Sequence, residues 1–200
     1  MDTDRGTGTC TPRNPYLHPF AIDSIWNMPI HGNARYVDAG IGKPTAWGVT
    51  IDEEDIILDP DAPLVNIYKN SWATDQRCTN VSGYMTQAPL PDGWMFPAYS
   101  GNGCAAVLDS DGVTLRQFQS LHRCATSGDA YALVEYPSEN IFGDGIEGAH
   151  GGSGLSSIGG SIRIGDMTPA GDIFNDPDTY IPHVLKINVY ARLYLQYTGS

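Results

Sequence analysis

Asp144, Glu147, His150 and Ser153 follow one another at three-residue intervals in the stretch GDGIEGAHGGSGLSSIGGSIRIG, residues 143–165. Two carboxyls beside an imidazole can run general acid–base chemistry. Hydrolysis of a glycosidic bond needs one protonated and one ionised carboxyl roughly 5–10 Å apart. Asp144 and Glu147 are the candidate pair, with His150 assisting. Ser153 is no nucleophile of the elbow type, because G-x-S-x-G requires glycine at 155 and Leu155 stands there. Together with His183, the residues Asp144, Glu147 and His150 also form a mixed nitrogen and oxygen ligand set for a divalent metal. Calcium has two further acidic candidates, Asp52-Glu53-Glu54-Asp55 and Asp109 with Asp111. Neither has EF-hand spacing, and Asp109-Ser110-Asp111-Gly112 reads more simply as a hairpin turn. None of these chemistries requires a cofactor.

A second group lies near the C-terminal end of the sequence, where residues 183–197 alternate strictly. Leu185, Ile187, Val189, Ala191, Leu193 and Leu195 take one face, and Lys186, Asn188, Tyr190, Arg192, Tyr194 and Gln196 the other. Period two over this length predicts a strand, with polar side chains about 7 Å apart along one sheet face. Tyrosine rings stack on sugars, while amides and guanidinium groups bind hydroxyls. Gln117 and Gln119 share a face of another predicted strand and extend the same candidate surface.

This polar face resembles the concave sheet of jelly-roll polysaccharide lyases, where a Tyr, a His, a Gln or Asn and an Arg line a cleft for an acidic polysaccharide. The resemblance implies Tyr190 or Tyr194 as acid or base and His150 or His183 as base. It implies Arg192 and Asn188 as the groups that neutralise a uronate carboxylate. The phrases SIWNMPI, GDGIEGAHGGSGLSSIGGSIRIG and PHVLKINVYA also look like those of a family of secreted, largely uncharacterised microbial proteins. That likeness implies an extracellular location and a single β-rich unit.

The elements that must position these residues are short. Nine of the 23 glycines fall in residues 143–165, a density that implies turns or close backbone approach. Strands are predicted at WGVTI and DIIL within 47–58, at 64–68, and at 130–136. Residues 104–108 and 113–121 read as a hairpin. A further strand, residues 160–164, leaves the glycine-rich segment. Residues 69–103 read as a long irregular region carrying Trp72, Cys78 and Trp94. Trp26 is a predicted core anchor, while His18, His31 and His122 read as surface or packing residues. With hardly any helical periodicity, the expected fold is all-β, a β-sandwich or jelly roll with long loops. Residues 1–19 form an extended lead-in and 20–200 a single domain.

The chain has 200 residues and a formal net charge of −12, with 11 Lys and Arg together. Nucleic acid needs a basic face for counterion release, so it is not an expected partner. No apolar run reaches the length of a membrane span. Cys10, Cys78, Cys104 and Cys124 lack C-x-x-C spacing, so two disulfides and an oxidising compartment are expected. The reading is a secreted carbohydrate-active protein, most simply a lyase or glycosidase acting on a polysaccharide. The alternatives are a non-catalytic glycan-binding module and a self-assembling extracellular subunit; oligomeric state is left open.

Overall fold

A computed structural model describes residues 14–28, 33–38, 49–50, 54–73, 76–79, 81–96, 102–148, 153–162 and 183–189. Among them there is no helix, and nine strands form two mixed sheets and a two-stranded ribbon. The strands are β1 (Val49–Thr50), β2 (Glu54–Ile57), β3 (Leu64–Lys69), β4 (Gly83–Pro89), β5 (Cys104–Leu108), β6 (Thr114–Gln119), β7 (Ala130–Ala132), β8 (Val134–Asn140) and β9 (Asn188–Val189). The four-stranded sheet runs β2-β5-β6-β8, the three-stranded sheet β4-β3-β7, and β1 pairs with β9. The all-β expectation therefore holds. The β2–β5 and β3–β7 pairs are parallel, which departs from an antiparallel jelly roll.

The β5–β6 hairpin forms where the sequence places its turn. Asp111 accepts hydrogen bonds from the Val113 and Thr114 amides at 2.8 and 2.7 Å, and from the Thr114 hydroxyl. These bonds, the Thr114 hydroxyl foremost, hold the Asp111 carboxyl below its usual range. The acidic side chains here shape a turn, with the Asp109 carboxylate also bonded to the Ser110 amide.

Alternation along β5 and β6 gives the four-stranded sheet two working faces. One face presents Ile57, Ala105, Val107 and Phe118 to Val65, Ile67, Ala88, Ala130 and Ala132 of the three-stranded sheet, and this is the main core. The other presents Ala106 and Leu115 to Phe20, Trp26 and Ile158, with Leu155 and Val184 packed alongside. The second face is thus covered by three irregular pieces of chain: the N-terminal turn region, the glycine-rich segment and residues 183–187. Trp26 is the anchor expected of it, 4% exposed, with its indole N–H donated to the Gly145 carbonyl at 2.6 Å.

Several expectations need correction. The region 69–103 is not irregular throughout, because β4 lies inside it and pairs antiparallel with β3. The strand expected at 130–136 is two strands in different sheets. β7 joins β3 and β8 joins β6, with the break at Leu133. β8 then runs on through Pro137, which is tolerable because β8 is the edge of its sheet. Residues 160–162 are not a strand. Of the strand expected over 183–197, residues 183–187 are irregular, only Asn188–Val189 pairs, and 190–197 lie outside the described residues.

One disulfide joins Cys78 to Cys124, as an oxidising compartment favours. Cys104 is buried on β5, and Cys10 lies outside the described residues. Among those described, no helix is long and apolar enough to cross a membrane.

Candidate functional site

The glycine-rich segment lies on the second face of the four-stranded sheet, and one buried side chain fixes both of its described limbs. Gln117 of β6 is fully buried. Its amide nitrogen donates to the Glu147 carbonyl at 3.0 Å, and its carbonyl accepts from the Ser157 amide at 2.8 Å. The N-terminal turns add further ties. The Ser24 hydroxyl donates to the Asp144 carbonyl at 2.6 Å, and the Ala21 amide to the Gly143 carbonyl at 2.7 Å.

Two of the segment's described glycines have a clear cause. A Cβ on Gly148 would stand 1.9 Å from the Leu155 carbonyl oxygen and 2.2 Å from the Ser156 nitrogen. The two limbs touch backbone to backbone there, which only glycine permits. Gly160, at φ +73°, meets the Lys186 backbone in the same way, with 2.4 Å between a built Cβ and the Lys186 nitrogen. A Gly148→Ala variant is expected to lose about 1–3 kcal/mol by overpacking. The reading is a lower urea midpoint, and an unchanged midpoint would mean that the limbs do not meet.

At the centre of the site stands Glu139 of β8, which sequence reasoning missed. Its neighbour across the ladder is Leu115, so it faces the glycine-rich segment. It is 7% exposed. Its Oε2 accepts the Ser156 hydroxyl at 3.1 Å. Its Oε1 is buried and, among the described residues, has no hydrogen-bond partner; the nearby Ser157 Oγ is in the same position. Burial raises the carboxyl, and the charges of Asp144 and Glu147 raise it further. The Ser156 hydroxyl and the Glu147 amide pull the other way, and the result is a pKa pushed up to about 7. Asp144 and Glu147 themselves are exposed, and the Asp144 carboxylate caps the Ile146 amide at 3.3 Å.

Glu139 is therefore a buried carboxyl raised toward neutrality, and the exposed carboxyls of Asp144 and Glu147 lie near enough to act on it. Beside them runs a second ionic contact. The Lys186 ammonium donates to both Glu54 oxygens at 2.9 and 3.0 Å and to the Ser156 carbonyl at 2.9 Å. Glu54, Lys186, Ser156 and Glu139 thus form a continuous polar chain from β2 to β8. Lys186 is turned into the protein rather than along an open strand face, and Leu185 and Ile187 point outward, 37% and 52% exposed. The two faces of this segment are the reverse of those expected, because the ammonium has Glu54 and Ser156 to meet.

The other candidates fall as follows. Gln119 is half-buried and accepts the Tyr136 hydroxyl at 2.7 Å; it shares the sheet face with Gln117, but Gln117 is occupied by the segment it holds. The ring of His183 lies 3.0 Å from the Val184 carbonyl through Nδ1. His150, Tyr190, Arg192 and Tyr194 lie outside the described residues, as do His31 and the Asn188 side chain. His122 is a packing residue, fully buried, stacked on Phe96 with ring centroids 5.2 Å apart and 3.1 Å from the Arg77 guanidinium.

Of the acidic knot, Asp52 and Glu53 lie outside the described residues, while Glu54 meets Lys186 and Asp55 accepts the Trp94 indole N–H at 3.0 Å. Among the described residues no group of three or more His, Cys, Asp or Glu is arranged to hold a metal ion. Glu139 left little trace in the sequence. It sits in VEYPSEN, where Pro137 hides the strand, and only the neighbouring acidic pair hinted at a carboxylate site. Comparison with protein-family models, curated proteins and solved structures found no match.

Proposed function

We propose that the protein is a secreted, carbohydrate-active enzyme that hydrolyses glycosidic bonds, with Glu139 as general acid. The supporting observation is a buried carboxyl pushed up to about 7, with the exposed carboxyls of Asp144 and Glu147 close by. Pairs of carboxyls whose surroundings drive their proton affinities apart divide the acid and base roles. Glu139 donates its proton to the leaving glycosidic oxygen. Glu147 takes the second role, because Gln117 fixes its carbonyl and the Asp144 carboxylate already accepts the Ile146 amide. Its carboxylate either attacks the anomeric carbon or activates water. Gln119 and Tyr136 lie on the same sheet and supply hydrogen-bonding groups for the sugar.

Glu139 is covered by the segment, so a glycan reaches it only when that segment lifts from β8. The contacts that part are Ser156 with Glu139 and Gln117 with Ser157. Elimination is the less favoured reading. Hydrolysis is preferred because Glu139 offers a raised, buried carboxyl; His150, Tyr190 and Arg192, which the lyase resemblance assigns to elimination, lie outside the described residues.

The test is a panel of neutral and acidic polysaccharides, assayed for reducing ends and for the ultraviolet absorbance of unsaturated uronate ends. New reducing ends without that absorbance are expected. The Glu139→Gln variant should lose about 100- to 10,000-fold in turnover, the usual contribution of general acid catalysis. Unsaturated products, or full activity in Glu139→Gln, would contradict the assignment.

A further inference from the structure

The outer face of the three-stranded sheet carries a second constellation, remote in the fold from Glu139. Tyr68 of β3 is the register partner of Tyr84 on β4 and of Tyr131 on β7. The three tyrosines stand in one row across three adjacent strands. Their neighbours along each strand fix the direction: Ile67, Ala130 and Ala132 are buried in the core, so Tyr68 and Tyr131 point away from it. Tyr84 reaches the row through a bulge. The ladder shifts between Ile67 and Tyr68, and without that shift period two would turn Tyr84 inward. Instead Met85 packs against the core, and Tyr84 is 60% exposed. Bulges re-aim side chains in this way near functional surfaces. The Tyr68 and Tyr84 rings meet edge to face with centroids 5.9 Å apart.

Beside the tyrosines runs a polar row on the same face. Gln87 donates to the Asn66 side-chain carbonyl at 2.8 Å, and the Asn66 amide donates to Asp129 at 3.3 Å. Each amide keeps a second N–H, and Asp129 a second oxygen. Asp129 is the charged member of this row, and the whole chain carries −12.

We propose that this face binds a neutral glycan chain. A pyranose ring has an apolar face that suits tyrosine and a rim of hydroxyls that suits an amide–carboxylate row. The tyrosine row spans about 10 Å across three strands, the length of a disaccharide. An acidic glycan or a nucleic acid would meet Asp129 and the negative charge of the chain. The surface is separate from the hydrolytic site and does not depend on it.

The experiment uses the whole chain with carbon-13 labelled tyrosine and three probes: cellohexaose, xylohexaose and mannohexaose. At least one probe is expected to move the ring resonances of Tyr68, Tyr84 and Tyr131 together. Tyr84→Ala, on an exposed ring of an outer strand, should then weaken binding about tenfold. Glu139→Gln should bind as the unaltered protein does, so loss of hydrolysis and loss of binding are separable. If none of the three probes shifts these resonances, or if Tyr84→Ala binds undiminished, the proposal is wrong.

Discussion

Replacing Glu139 with glutamine is expected to make the protein more stable at pH 8 by about 3 kcal/mol, and to leave it nearly unchanged at pH 4. The sign follows from where the proton sits. In the unfolded chain this carboxyl ionises near 4.5, and in the folded protein near 7. Between those values the folded state holds a proton that the unfolded state has released. Stability from this group is fully present below the lower value and is lost as pH rises through the upper one. Glutamine keeps the hydrogen-bond acceptor for Ser156 and has no charge to bury. Urea midpoints of both proteins between pH 4 and pH 8 check this. Parallel curves for the two would mean that the Glu139 carboxyl titrates in the folded protein as it does in the unfolded chain. A gain in stability together with the loss of turnover is the signature of a site residue held at a cost to the fold.

Removing the Cys78–Cys124 bridge by a double alanine substitution is expected to cost about 4 kcal/mol. The bridge closes a loop of 46 residues, which spans β4, β5 and β6. In the chain-entropy picture the loss comes from freeing that loop in the unfolded state. The native contacts around the bridge add to the effect. Arg77, next to Cys78, is 2% exposed, lies over the Trp72 ring at 5.2 Å and bonds to His122. Its burial lowers the guanidinium pKa. Arg123, next to Cys124, donates to the Pro91 carbonyl at 3.1 Å. Thermal unfolding should shift down by about 8–16 °C for a chain of this length. A shift of only a degree or two would mean that the region is held by its packing alone.

The sequence made some of this legible and concealed the rest for physical reasons. The β5–β6 hairpin was readable because Asp109-Ser110-Asp111-Gly112 encodes its own turn through side-chain bonds to nearby amides. Trp26 was readable as a core anchor because large aromatics are seldom left outside. Glu139 was hidden because a proline two residues earlier argues against a strand, and only an edge position makes Pro137 acceptable. Edge position is a property of the sheet, not of the local sequence. The alternation around Lys186 was real, but its direction was not encoded locally. The ammonium turned inward because Glu54, 132 residues away in sequence, and the Ser156 carbonyl were there to receive it. Likewise the Tyr84–Tyr68–Tyr131 row depends on a bulge and a parallel pairing, neither of which leaves a periodic signal.

The spacing of Asp144 and Glu147 singles them out in the sequence, and in the structure both charges act on the buried Glu139 carboxyl. Gly148 and Gly160 have a plain role: they let two limbs of chain pass against each other and against Lys186, so that a carboxyl on the sheet beneath is covered.

The central claim is that Glu139 keeps a proton near neutral pH beneath that cover. Carbon-13 labelling of glutamate carboxyls, with the Glu139 signal assigned by its absence in Glu139→Gln, follows this proton directly through a pH titration. The account predicts a midpoint near 7. A midpoint at the ordinary glutamate value near 4.5 would contradict it, and with it the assignment of Glu139 as the acid.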